Sequence, residues 1–213
     1  VTRPVPATVL ADESWLREDL DRAARLYGRA SGRVLGTIRW YSASSVLVAP
    51  ALESLVHTGI ALDPALESVT LDLHPDGRYV DAHSRRPLGR DVTQLGAALG
   101  AALTAAVTAG AAVSGATERS LWAIAADSIA NRLLWAASAA GDEERGMRLA
   151  EEIGDAVGSR LPRPRFVRVG AKPVVRRASC CLIYEATGGE KCASCPRQTP
   201  AERTRRLELL LGS

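Results

Sequence analysis

At 213 residues, with 46% hydrophobic and 24% charged side chains, the chain is too apolar to be disordered and long enough to bury a real core as one domain, with or without a small appendage. Aromatics make up only 4% while alanine abounds, a balance that favours close-packed helices. The formal charge of +3 is unevenly spread: residues 160–213 hold 12 Lys and Arg against 4 Asp and Glu, whereas residues 1–159 hold 15 against 20.

Residues 1–11 read as an extended arm with no apolar leader. Asp12 or Ser14 is placed to cap a helix in which Trp15, Leu16, Leu20, Ala23, Ala24 and Tyr27 recur at helical spacing. Glycine and serine at 28–32 end it. A second helical run, 33–48, carries Ile38, Trp40 and Tyr41, and Pro50 is expected to separate it from a third at 51–58. Val69, Leu71 and Leu73 alternate with polar residues, and His74-Pro75-Asp76-Gly77 supplies turn chemistry, so 67–83 is predicted to be a β-hairpin. His57, His74 and His83 read as solvated turn or helix-end residues.

An Ala-rich helix is predicted at 91–114, starting near Asp91 or Thr93. Gly96, Gly100 and Gly110 weaken it by about 1 kcal/mol each relative to Ala but permit close helix contact. The uncharged stretch Val92 to Thr117 is mostly Ala, Gly and Thr, which suits a buried helix better than a membrane span. A helix at 117–139 follows, with Leu121, Ala125, Ile129, Leu133 and Ala136 as its apolar stripe. On it Asn131 and Trp135, four apart, are placed to face one pocket. Another helix covers 143–157. Extended pieces at 165–169 and 173–178 lead to the cysteines, and 200–211 forms a last short helix.

All four cysteines fall in one stretch: Cys180, Cys181, Cys192 and Cys195, spaced C-C-x10-C-x2-C. Two disulfides are one reading, although a single tight cluster does not resemble the spread framework of a small secreted domain. A structural zinc site is a second, although its usual frame is a pair of C-x2-4-C knuckles and only 192–195 is one. A [2Fe–2S] cluster is the third: a knuckle can hold one iron and a vicinal pair can present both sulfurs to the other, although the spacing assigns no ligand to either iron. Free thiols without a leader segment point to the cytoplasm.

The run Cys180-Cys181-Leu182-Ile183-Tyr184, then Gly188-Gly189, then Cys192-Ala193-Ser194-Cys195-Pro196, resembles the C-terminal signature of FhuF-type ferric-siderophore reductases. Arg39-Trp40-Tyr41 and Ser120-Leu121-Trp122 are similar to weaker landmarks of that family, so the likeness extends over about residues 15–197. The family often has Gly inside the last cysteine pair, where this chain has Ala193-Ser194. The resemblance implies that Cys180, Cys181, Cys192 and Cys195 ligate a [2Fe–2S] cluster. It implies a reductase that passes one electron to a ferric siderophore, of hydroxamate type, to release Fe(II).

The fold expected is mainly α (α+β): a helical body, residues 1–164, with the hairpin, and a C-terminal cluster-binding segment, residues 165–213, packed on it. Arg39, Trp40, Tyr41, Trp122 and Asn131 are candidates for the substrate pocket. Arg176, Arg177 and Lys191 flank the cysteines and are candidates for docking an acidic donor or an anionic chelate. No phosphate-binding glycine loop or G-x-G-x-x-G occurs, so electrons are expected from a ferredoxin, a flavoprotein or reduced flavin rather than directly from NAD(P)H. A monomer without nucleic acid or a transmembrane segment is expected, cytoplasmic or peripheral at the inner membrane face. Two other readings stand beside this one. A zinc-stabilised nucleic-acid-binding module would use the basic region, but only Phe166 and Tyr184 offer stacking near the cysteines. An iron–sulfur sensor or carrier would lack siderophore reduction.

Overall fold

The computed structural model describes residues 1–212. The chain starts with strand β1 (Arg3–Pro6), a 3-10 turn (Ala7–Ala11) and helix α1 (Glu13–Tyr27). β1 is not a free arm. It pairs antiparallel with Val69–Leu73 (β3), Val5 opposite Leu71, and buries Val5 in the core. The isolated stretch gave no sign of this because its partner lies more than 60 residues away. Asp12 caps α1, its Oδ1 accepting from the amides of Ser14 at 2.8 Å and Trp15 at 3.1 Å.

Helix α2 (Gly32–Thr58) runs unbroken through Pro50, contrary to the expected division into two helices. Proline removes one backbone donor, but its fixed φ is helical. Leu47, Val48, Ala49, Ala51 and Leu52 are all buried around it, and that packing holds the helix together. Gly59, left-handed at φ 75, ends it. A two-residue strand, β2 (Ala61–Leu62), pairs with Pro87–Gly89 (β5). Between them β3 and β4 (Tyr79–Ser84) form the predicted hairpin, joined through a turn at 74–77 in which Gly77 takes φ 94. Its inner face buries Val69, Leu71, Leu73, Tyr79 and Ala82.

Helix α3 (Val92–Ser114) is capped by Asp91 and is long and apolar enough to cross a membrane by length and composition. Here its Leu95, Leu99, Leu103 and Val107 are buried in the shared core. Helices α4 (Glu118–Ala139), capped by Thr117, and α5 (Glu143–Val157), capped by Asp142, complete the body. Two glycines set the spacing around α5. A Cβ on Gly96 would meet the Ala156 Cβ at 2.3 Å, and one on Gly146 would meet the Leu133 carbonyl oxygen at 2.8 Å. Gly100 and Gly110 leave room for ordinary contacts.

The chain then forms a second hairpin, β6 (Phe166–Val169) and β7 (Lys172–Val175), whose Val175 packs on Ala130 and Leu134 of α4. A short helix α6 (Ile183–Thr187) and a final helix α7 (Pro200–Leu211), capped by Thr199, close the described chain. The fold is mainly helical with small antiparallel sheets, an α+β arrangement, as the sequence predicts.

Candidate metal centre and adjoining clefts

The cysteine segment is fastened to the body by one carboxylate. Asp127 of α4 is buried, and its two oxygens accept from the amides of Ala178 at 2.8 Å and Ser179 at 3.2 Å. Burial pushes the Asp127 carboxyl up to about 6, although those amides and Arg177 pull the other way. Two residues later the chain turns sharply. Leu182 is left-handed at φ 62, the one such non-glycine among the described residues. This conformation is costly for a branched side chain. It aims the Leu182 amide at the Cys180 sulfur, 3.4 Å away. Burial of the Leu182 side chain with Val34 and Ile38 of α2 holds it there.

The cysteines meet over that face of α2. Cys180, Cys181 and Cys195 are buried and Cys192 is exposed. The Cys180 and Cys195 sulfurs lie 3.6 Å apart. Cys181 accepts from the thiols of Cys180 and Cys192, which pull its own thiol down to about 2 and push theirs up. The four thiols therefore form one connected group, Cys195 to Cys180 to Cys181 to Cys192. No three His, Cys, Asp or Glu side chains among the described residues gather around a single-ion position.

Arg177 stands beside them. It is 7% exposed, its Nη1 donates to the Cys192 sulfur at 3.5 Å, and its guanidinium lies over the Tyr41 ring at 4.9 Å. Its Nε is 3.6 Å from Asp127 Oδ2, too long for a hydrogen bond, and Nε and Nη2 are buried without partners. Unpartnered buried N–H groups are expensive. Nη1, the nitrogen directed at Cys192, places the guanidinium charge beside the thiols.

The sequence-nominated residues separate into two sets. Tyr41 and Asn131 line a cleft of about 230 Å³ with Ser42, Ser45, Val80 and Trp135, at the junction of α2, α4 and β4. Trp135 is 55% exposed there, and the guanidinium of Arg132 lies 5.6 Å from its ring centre. Tyr41 also feels the charges of Cys181 and Cys192, so it is a wall shared by cleft and thiols. Burial raises its phenol against the pull of Arg177.

Arg39, Trp40 and Trp122 do not join them. Arg39 is buried, its Nε and Nη2 donating to Asp19 at 2.8 and 3.0 Å and its Nη2 also to the Gly77 carbonyl at 2.6 Å. Trp40 donates to the Leu121 carbonyl at 2.8 Å inside the core, and Trp122 is 3% exposed. Arg176 is exposed. Lys191 donates to the Arg197 carbonyl at 3.1 Å. Arg177 is too buried to be the surface docking residue its neighbours in sequence suggested. Asp127 was legible only as a position on α4. Its role depends on contacts across 51 residues of chain.

Residues 177–197 match the family model for the FhuF 2Fe-2S C-terminal domain. The match begins at Arg177 and takes in all four cysteines, and that domain binds a [2Fe–2S] cluster. No curated protein matches the chain. The residues present fit the group: four thiols gathered together, one buried cation donating to Cys192, and an amide on each of Cys180 and Cys181. The Cys180–Cys195 pair is near the edge of about 3.8 Å expected for tetrahedral thiolates on bonds of about 2.3 Å.

Proposed function

We propose that this protein is a cytoplasmic ferric-siderophore reductase that acts on hydroxamate-type chelates. Cys180, Cys181, Cys192 and Cys195 hold the cluster, which when bound supplies single electrons at a potential able to convert chelated Fe(III) to Fe(II). Hard hydroxamate oxygens hold Fe(II) far less tightly, so that one electron makes the metal labile.

The observation that carries this reading is Tyr41, which lines the cleft and has over its ring the Arg177 guanidinium that donates to Cys192. Trp135 and Tyr41 offer aromatic surface to a chelate. Asn131, Ser42 and Ser45 offer amide and hydroxyl groups that suit hydroxamate oxygens. Arg132 is kept in place by the Ser45 carbonyl at 2.9 Å and Glu53 at 3.0 Å. The four thiolates add negative charge next to the buried Arg177, which offsets it without opening the site to water. Electrons are proposed to come from a carrier protein or reduced flavin.

The test is anaerobic. Iron and zinc are counted, the protein is reduced, and a ferric hydroxamate is added stoichiometrically. About two irons per chain and reoxidation of the visible band by the chelate, with Fe(II) released, are expected. Colourless protein holding one zinc and no iron would reject the reading. Two irons with no chelate-driven reoxidation would leave a sensor or carrier.

A further inference from the structure

A second cleft has Arg177 in its lining. It has a volume of about 430 Å³ and is lined by Arg119, Arg163, Arg165, Arg176 and Arg177 against a single acid, Asp127. Asp127 offsets only one of these charges, its Oδ2 lying 3.6 Å from Arg177 Nε. Arg163 reaches Glu151 at 3.3 Å. Among the described residues Arg119, Arg165 and Arg176 have no acidic partner.

Two features make this more than a solvated basic surface. Arg165 and Arg176 face each other across the open end of the β6–β7 hairpin: the Arg176 amide donates to the Arg165 carbonyl at 2.8 Å, and the next pair is Phe166 with Val175. Like charges directly opposite in a strand pair are destabilising, and among the described residues no acidic side chain pairs with either. Arg177, at the back of the same cleft, is buried with Nε and Nη2 unpartnered. Pro162 and Pro164 make one wall stiff, and Ala123 and Ala126 on α4 keep the floor open.

We propose that this cleft is a binding site for a small polyanion carrying two or more phosphate or carboxylate groups. The site is separate from the Tyr41 cleft and stands whether or not a ferric hydroxamate is the substrate. Guanidinium groups bind such oxyanions through paired N–H donors, and several around one concavity bind a multivalent anion far better than a monovalent one. The concave shape favours a small molecule over the flatter face of a protein partner.

The experiment is calorimetric titration of the cluster-loaded, full-length protein with inorganic pyrophosphate, with citrate and with acetate, at low ionic strength. One site for pyrophosphate or citrate is expected, at least tenfold tighter than acetate. Arg119→Gln, Arg165→Gln and Arg176→Gln should each weaken it by roughly tenfold. Arg205→Gln, an exposed site on α7, should leave it unchanged. The preferred probe of the two tells phosphate from carboxylate chemistry. Equal weakening by Arg205→Gln would mean diffuse attraction and would overturn the proposal. So would the absence of polyanion binding together with cleft-dependent binding of a small acidic ferredoxin, which would make the cleft a protein-docking face. All these arms read binding alone, so failure of the reductase test leaves them intact.

Discussion

Arg177 lies 4.9 Å from the centre of the Tyr41 ring and at the same time donates to Cys192, so one buried cation joins the aromatic wall of the first cleft to the thiols. Burial works against its charge, and Tyr41, Cys181, Asp127 and Cys192 together hold it protonated. A cation kept at such a cost belongs to whatever negative charge the thiols carry.

Replacing Arg177 with Gln should therefore lower the cluster midpoint potential. A shift of about 60 mV corresponds to a tenfold change in a one-electron couple and is the scale expected. Arg177→Lys should keep most of the potential while losing the stacking on Tyr41. Spectroelectrochemical titration measures both. An unchanged potential in Arg177→Gln would remove the charge-balancing role.

Asp127 predicts a pH dependence of stability. Its carboxyl is raised from 3.8 to about 6 in the fold, so between those values the folded state holds a proton that the unfolded state has released. The associated stability is fully present below about pH 4 and is lost as pH rises through about 6, a cost on the order of 3 kcal/mol. Asp127→Asn should flatten the change in urea midpoint across this window. An identical slope in the variant would refute the assignment.

Gly96 and Gly100 lie one turn apart on α3 and should respond in opposite ways to alanine. At Gly96 the new methyl meets Ala156, including its backbone carbon at 2.7 Å, so α3 and α5 must separate. A loss of about 1–3 kcal/mol is expected, beyond the helix-propensity gain. At Gly100 the nearest atom is 3.5 Å away, and alanine should stabilise by about 0.5–1 kcal/mol. Thermal unfolding of the two variants decides it.

Trp135 is exposed enough that its removal should not unfold the protein. Trp135→Ala should weaken binding of a gallium(III) hydroxamate, which cannot be reduced, by about tenfold with little change in Tm. Tyr41→Phe should bind it nearly as well as the parent, since the ring persists. Equal affinity for Trp135→Ala and the parent would move the chelate to another face.

The helices were legible because their signals are local. Asp91 and Thr117 stand one residue before periodic apolar runs, and each caps its helix in the structure. Pro50 misled because a local rule was overridden by burial on every side of α2. The cysteine cluster was legible from spacing alone. Its supports were not: Asp127 and Val34 lie about 50 and 145 positions before the residues they hold, and the left-handed Leu182 occupies a conformation that leucine gives no hint of. Nor did the sequence pair the thiols as the fold does. The spacing assigns no sulfur to a partner, whereas in the fold Cys180 approaches both Cys195 and Cys181, and Cys181 also approaches Cys192.

The seating of Cys180, Leu182 and Cys195 on Val34 and Ile38 has a consequence for the metal-free chain. The donors come together on a surface that α2 provides, and α4 must be beside it to offer Asp127. Iron-free protein should therefore keep its helical body, which far-UV circular dichroism of the metal-free chain would read.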